Sequence, residues 1–338
     1  MTAGNNYLLT LIEGTEYEAP YNELSAKFSS KIHPNVVELG NGLDRIFLTD
    51  HGPEHIKWVI KQAAELCSQG KITMSAYEAY IVLIAAHLHD VGNALGRRGH
   101  TTRIDEIFQL IYGPLGFNKF DANFAEEIAS THGGNIKGSK DTLSTLDADS
   151  TFFGKPVKPQ LLAAIIRLGD ELSEAPYRAN HLAIEAGKLP TGSEAYHIYA
   201  YGLHTTQIEA ETRSIRLAFW LNEKYFMGPL EKDEGSVYLL DYIFDRTVKT
   251  FDEAVYCTKY MRGALFFDKV HVEVAAYDDR TKRRIKKVAY TLRQHGFPSR
   301  SQGHADIYEL APELKNYEGH GKLTGETLAK GLSEEAAR

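Results

Sequence analysis

Over the first half of the chain, apolar residues recur at a spacing near 3.6 between short polar breaks; beyond about residue 190 the period shortens towards two. Residues 21–38 predict a first helical region, interrupted near His33-Pro34, and residues 40–50 read as a loop. Asp50 is a good N-cap, and Pro53 and Glu54 suit the first turn of a helix through His55, Ile56, Val59, Ile60, Ala63 and Leu66. Residues 75–91 are apolar almost all round and predict a central buried helix, with Ser75 and Glu78 as a capping box and Gly92 after its end. Further helices are expected over about 101–112, 121–131 and 159–173, the last with Pro159 at its start. Residues 133–158 read as loop. In the second half, 195–203, 205–211, 214–221 and 269–277 predict strands, 235–262 a long amphipathic helix, and 280–295 a basic helix with Ile285, Val288, Ala289 and Leu292 inward. The expected fold is mainly α: a helical metal-binding domain over 1–190, an α+β subdomain over 191–312 and a polar flexible tail over 313–338.

Composition narrows the function classes. The chain has 338 residues, room for two domains, and its 43% hydrophobic and 25% charged content excludes a disordered chain. Lys+Arg total 38 and Asp+Glu 45, a net charge of −7, which gives no general pull towards nucleic acid or anionic membrane. The basic stretch 282–293 is read as the solvated face of its helix, with a surface for nucleic acid or an acidic partner as the alternative. Cys67 and Cys257 form no CxxC, which disfavours a disulfide scaffold and a thiolate zinc site. The run Ala79 to Leu88 is too short to span a bilayer and is broken by His87, and the first residues carry neither a basic stretch nor an apolar core. A cytoplasmic protein with no membrane segment is the expectation.

The chemistry gathers at helix ends. Two apolar runs stop at a carboxylate: IVLIAAHLHD at Asp90 and LLAAIIRLGD at Asp170. A buried carboxylate is costly unless it is paired, protonated or bound to a cation. His89 adjoins Asp90, His55 lies in a first helical turn, His100 follows the loop GRRGH, and His132 precedes Gly133-Gly134. Imidazole and carboxylate without thiolate suit Mn, Fe, Co, Ni, Zn or Mg. The plain alternatives are an ion pair of Asp170 with Arg167 one turn earlier, His100 and His132 facing solvent, and His87 hydrogen-bonded in the core. Arg97, Arg98 and Arg103 surround His100, and Lys137 and Lys140 follow His132; they make either a solvated loop or a phosphate clamp.

The order of these residues resembles the HD superfamily of metal-dependent phosphohydrolases: a histidine, an HD doublet and a distant aspartate, here His55 (HIKWV), His89-Asp90 (AAHLHDVGN) and Asp170 (IIRLGDEL), over roughly residues 45–180. The resemblance implies one or two divalent metal ions. With His100 and His132 in the places of extra histidines, it implies two, bridged by Asp90. His51 and His55 both remain candidates for the first ligand; the family spacing favours His55 and leaves His51 beside the ligands or facing substrate. The implied reaction is hydrolysis of a phosphate ester, such as a nucleotide, cyclic nucleotide or dinucleotide, by metal-activated water. His89, Asp90 and His51 then stand at the chemistry, Arg97, Arg103 and Lys137 on the phosphate, and His51 or Glu171 assists proton transfer. Relatives with this ligand order include dinuclear iron oxygenases, and a non-catalytic nucleotide-sensing module is a third reading. Some stand beside heat-shock-chaperone-like ATPases, which makes such an ATPase an expected partner class alongside a second copy of the chain. Residues 134–157 are a candidate lid.

Overall fold

The computed structural model describes residues 6–36, 49–95, 100, 103–107, 118–136, 138–294 and 306–336. Two compact units divide them. The first contains the N-terminal helices, Asp50–Ser173 and Tyr256–Phe266; the second contains Glu174–Val255 and the described residues from Phe267 on. The first is mainly helical and the second mixes helices with a sheet, so the mainly α fold with a smaller α+β region is found. The division falls after Ser173 rather than at 190, and it returns Tyr256–Phe266 to the first unit. Among the described residues, no helix is long and apolar enough to cross a membrane.

In the first unit, α1 (Tyr7–Ile12) and α2 (Glu18–Lys27) lead into a wider turn over Phe28–Ile32, with helix resuming through residue 36. That turn stacks Phe28 on His87 (ring centroids 5.0 Å) and sets His33 Nε2 3.1 Å from His87 Nδ1. His87 is therefore a core residue, and burial lowers its pKa to about 3. Next come α3 (Pro53–Gln69) and α4 (Ala76–Leu88). The expected capping box is present: Ser75 Oγ accepts from the Glu78 N–H, and Glu78 Oε2 accepts from the Ser75 N–H. Lys158 Nζ, 3.3 Å away, compensates the buried Glu78 carboxylate. Helix α4 is buried on every side because α1, α2, α3, α5 (Lys119–Ser130) and α6 (Pro159–Glu171) all pack on it. Of the helix expected over 101–112, residues 104–107 are helical and 108–112 lie outside the described residues.

Helices α3 and α6 meet where Gly169 faces Ala63. A Cβ at Gly169 would lie 3.2 Å from the Ala63 backbone nitrogen and 3.3 Å from its Cβ. The missing side chain lets the helices approach closely, which brings His55 of α3 beside Asp170 of α6.

The stretch 133–158 is more ordered than the loop expected there. It carries the hairpin β1 (Ser150–Phe152) and β2 (Lys155–Val157), with Phe152 stacked on Phe124 at 4.9 Å. Thr142, Leu143, Leu146 and Val157 are buried and anchor the candidate lid, while most of its other described residues are exposed.

In the second unit, α7 (His181–Glu185) and α8 (Glu194–Gly202) precede β3 (Leu203–Glu209) and β4 (Ser214–Asn222). The hairpin β5 (Pro229–Lys232) and β6 (Gly235–Tyr238) leads into α9 (Leu239–Thr258), followed by β7 (Lys269–Tyr277) and β8 (Arg284–Arg293). The sheet order is β3-β4-β7-β8, with β4 and β7 parallel and the outer pairs antiparallel. Three expectations fail here. Residues 195–203 are helical up to Gly202, with Tyr196 and Tyr199 packed edge-on against Tyr242. The basic stretch 280–295 holds a strand, whose Val288, Tyr290 and Leu292 alternate into the core in register with β7. The polar tail, which follows α10 (Ile307–Leu310), contains α11 (Gly325–Ala336), with Leu328, Ala329 and Leu332 buried and the Gly325 N–H donated to Asp241 at 2.8 Å.

Replacing Gly169 with valine wedges α3 from α6. We expect Gly169→Val to lower stability by about 1–3 kcal/mol in urea unfolding, the usual cost of overpacking a tight contact. Unchanged stability would contradict the close approach.

Candidate metal centre

Six of the predicted site residues converge at the ends of three long helices and on two short turns. His55 sits in the first turn of α3; His89 and Asp90 follow directly on α4; His132 follows α5 by two residues; Asp170 lies in the last turn of α6. His100 is brought in by the turn after Gly92. A Cβ on Gly92 would lie 2.0 Å from the His100 carbonyl oxygen, so the approach requires glycine there.

Two donor groups result: His55, His89, Asp90 and Asp170, and Asp90, His100 and His132, each with its donor atoms within 4.8 Å of one another. Asp90 belongs to both. Its Oδ2 lies 3.4 Å from His55 Nε2 and 3.3 Å from His89 Nε2; its Oδ1 lies 3.5 Å from His100 Nε2 and 3.9 Å from His132 Nε2. Asp170 Oδ1 faces His55 Nε2 at 3.2 Å and His89 Nε2 at 3.5 Å. Two further side chains fix the shared carboxylate. His51 Nδ1 donates to Oδ2 at 2.8 Å, and the Asn93 amide donates to Oδ1 at 2.8 Å. His51 precedes α3 yet reaches the same carboxylate as His55, whereas it is His55 that stands among the four converging donors.

The tautomers follow from the outer hydrogen bonds. His89 Nδ1 lies 2.8 Å from the Ala86 carbonyl and His132 Nδ1 2.7 Å from the Ala129 carbonyl, so both Nδ1 atoms carry the proton. Ser173 Oγ donates to the Asp170 carbonyl at 2.7 Å and therefore accepts from His55 Nδ1 at 3.3 Å. In all three rings Nε2 points inward. His55 Nε2 and His89 Nε2 are buried without a hydrogen-bond partner. Such unpartnered buried nitrogens cost about 1–3 kcal/mol each, and a cation removes that cost. Donors about 2.0–2.2 Å from one ion lie roughly 3–4.4 Å apart, the range in which the His55, His89, Asp90 and Asp170 separations fall. The residues fit a divalent cation.

Among the protein's own charges, burial raises the Asp90 and Asp170 pKa values, but the histidines outweigh it and hold both well below the usual carboxylate range. Burial lowers His89, but Asp90 and Asp170 more than offset this and raise it to about 10. His132 is lowered to about 3, by burial first and then by His89. The cluster is almost wholly buried except at Asp170 and His100, whose side chains are 27% and 17% exposed and mark the open side.

The solvent-facing alternative fails for His132, which is 6% exposed. Arg167 sends Nη1 to Thr142 Oγ1 at 2.8 Å and to the Lys140 carbonyl at 3.2 Å. Arg103 donates to the Leu95 carbonyl across the turn that holds His100. Arg97, Arg98 and Lys137 lie outside the described residues. Sequence reasoning missed Ser173, Thr142 and the role of Asn93. Only the spacing of Asn93 and Ser173, three residues after each aspartate, carried a signal.

A helical core that brings a histidine, an HD doublet and a distant aspartate to one point defines an HD-type domain with a candidate metal site. The sequence model of the HD-CE family matches residues 45–233, more than half of the chain, and the chain belongs to that family. No curated protein matches it.

Two outcomes follow. His89 carries a proton near neutrality that a cation must displace, so cation uptake at pH 7 releases about one proton and affinity rises with pH, about tenfold per unit between 7 and 9. Calorimetry in buffers of different ionisation enthalpy reads this, and affinity falling with pH would contradict it. Gly92→Ala pushes His100 away and is expected to weaken the second donor group while the first keeps its cation, read by elemental analysis at limiting metal.

Proposed function

We propose that the chain is a metal-dependent phosphohydrolase acting on a phosphate ester, in particular a nucleotide, cyclic nucleotide or dinucleotide. The observation that carries the reading is Asp90: one buried carboxylate turns each oxygen to a separate set of inward-facing imidazole nitrogens, two of them without a partner. His55, His89, Asp90 and Asp170 hold one divalent ion, of Mn, Fe, Mg, Zn, Co or Ni, and Asp90, His100 and His132 a second. Divalent cations at such a site lower the pKa of water and draw negative charge from phosphoryl oxygens.

The protein's own groups supply the rest. His51 donates its Nδ1–H to Asp90 in a hydrogen bond, which leaves Nε2 as the acceptor nitrogen of the neutral ring. In hydrolysis a water oxygen bonds to phosphorus, the bond from phosphorus to the leaving oxygen breaks, and one water proton must be removed. His51 takes that proton and Asp90 stabilises the resulting imidazolium. Glu171, next to Asp170 and half-buried, is the second candidate for proton transfer. Substrate enters from the side of Asp170 and His100, and Arg97, Arg103 and Lys137 are the residues proposed to bind its phosphate. Residues 1–190 carry the metal chemistry in this reading, and 191–312 serve a partner, a second copy of the chain or a heat-shock-chaperone-like ATPase.

The test is elemental analysis of the purified protein, followed by a screen of p-nitrophenyl phosphate, bis-p-nitrophenyl phosphate and nucleotides with added Mn. Cation-dependent release of product, about 10²–10⁴-fold lower in His51→Ala with the metal retained, is the expected result. Oxygen uptake without phosphate release would replace the reading with an iron oxygenase. Tight nucleotide binding without turnover would replace it with a sensor.

A further inference from the structure

Arg167 is 4% exposed and lies on α6 one turn before Asp170. Its Nη1 donates to Thr142 Oγ1 at 2.8 Å and to the Lys140 carbonyl at 3.2 Å, and its guanidinium carbon sits 4.6 Å from the Tyr256 ring centroid. Thr142 is 1% exposed, and its hydroxyl donates to the Thr131 carbonyl at 2.6 Å. A threonine hydroxyl has one proton, so Thr142 spends it on Thr131 and can only accept from Arg167. The direction of the chain is thereby fixed: from α6, through Arg167 and Thr142, to the backbone that carries His132.

The same loop is held from its other side. Tyr256 Oη accepts from the Leu143 N–H at 2.9 Å and donates to Asp141 Oδ1 at 2.8 Å; Tyr260 donates to that oxygen at 2.8 Å. Residues 140–143 are thus clamped between the helix of Asp170 and the start of the Tyr256–Phe266 stretch. The first donor group is oriented by different partners: Ser173 for His55 and the Ala86 carbonyl for His89.

We infer that Arg167 and Thr142 are positioning residues for the second donor group, setting the affinity of the Asp90–His100–His132 subsite separately from that of the His55–His89–Asp90–Asp170 subsite. The inference rests on the metal reading above and adds a division of labour within it. The carbonyl of Thr131 immediately precedes His132, whose ring must keep its Nδ1 proton on Ala129 for Nε2 to face Asp90. Releasing Thr131 lets that turn rotate, whereas the first group keeps its own restraints.

The test uses the full chain, stripped of metal and titrated with Co²⁺, as wild type, Thr142→Val, Thr142→Ser and Arg167→Met. Thr142→Val has nearly the same shape but neither donates nor accepts. It is expected to weaken the second Co²⁺ by about 10–100-fold, the usual effect of removing a group that orients a metal ligand, with the first Co²⁺ unchanged and Thr142→Ser restoring the second. Arg167→Met is expected to act in the same direction; if it fails to fold, the threonine pair still decides. Two Co²⁺ bound to Thr142→Val as to wild type would overturn the inference. So would equal weakening of both together with a matching loss of thermal stability. Nitrogen-15 spectra of the metal-free imidazoles decide independently of cation binding. Wild-type His132 is expected as the single Nδ1–H tautomer, mixed in Thr142→Val, with His89 unaltered. An unchanged His132 would overturn the inference even if wild type binds no cation, an outcome that would itself remove the hydrolase reading.

Discussion

The carboxylate of Asp90 is the constraint on which the first unit turns. It is 4% exposed at the end of a helix with no solvent-facing side, and water cannot compensate its charge. The structure surrounds it instead with His51, Asn93 and four imidazole nitrogens, divided between its two oxygens. These groups come from four stretches of the sequence, around residues 51–55, 89–93, 100 and 132. The helix packing, the glycine at 92 and the glycine at 169 are therefore conditions for stabilising one charge as much as for filling a core.

That arrangement concentrates cost in one place. Two carboxylates lie close together, and two buried ring nitrogens lack partners, in the middle of an otherwise apolar helical bundle. A structure selected for stability alone would fill this space with aliphatic side chains. Hydrogen bonds at Ser173, Ala86 and Ala129 hold the rings in the orientation that leaves those nitrogens bare. A site oriented in advance in this way loses little freedom when a cation enters.

Much of the first unit was legible in the sequence because its helices agree at every level. The run 76–88 combines a capping box, strong apolar content and a carboxylate stop, and α3 and α6 each begin with a proline at a position where its missing N–H costs nothing. The second unit was less legible because its local signals conflict. In RIKKVAYTLR, Ile285, Val288 and Leu292 fit a helix, while Val288, Tyr290 and Leu292 fit a strand; pairing with β7 selects the strand. In AYHIYAYG the aromatic content suggests a strand, but packing of Tyr196 and Tyr199 on Tyr242 favours the helix. In the C-terminal tail, Leu328, Ala329 and Leu332 are too few to announce a helix until a surface exists to bury them.

The sequence by itself singled out the candidate cation ligands, because a carboxylate such as Asp90 at the close of an apolar helix is costly to bury without a compensating charge. It also determined where the main helices begin, since caps and prolines act within a few residues. Only the tertiary structure decided that His55 joins Asp90 and Asp170 while His51 holds Asp90 from the side, and that Arg167 turns to Thr142. Those choices depend on distances between helices far apart in the chain, set by close contacts such as Gly169 on Ala63 and Gly92 on His100, and no local pattern encodes such a distance.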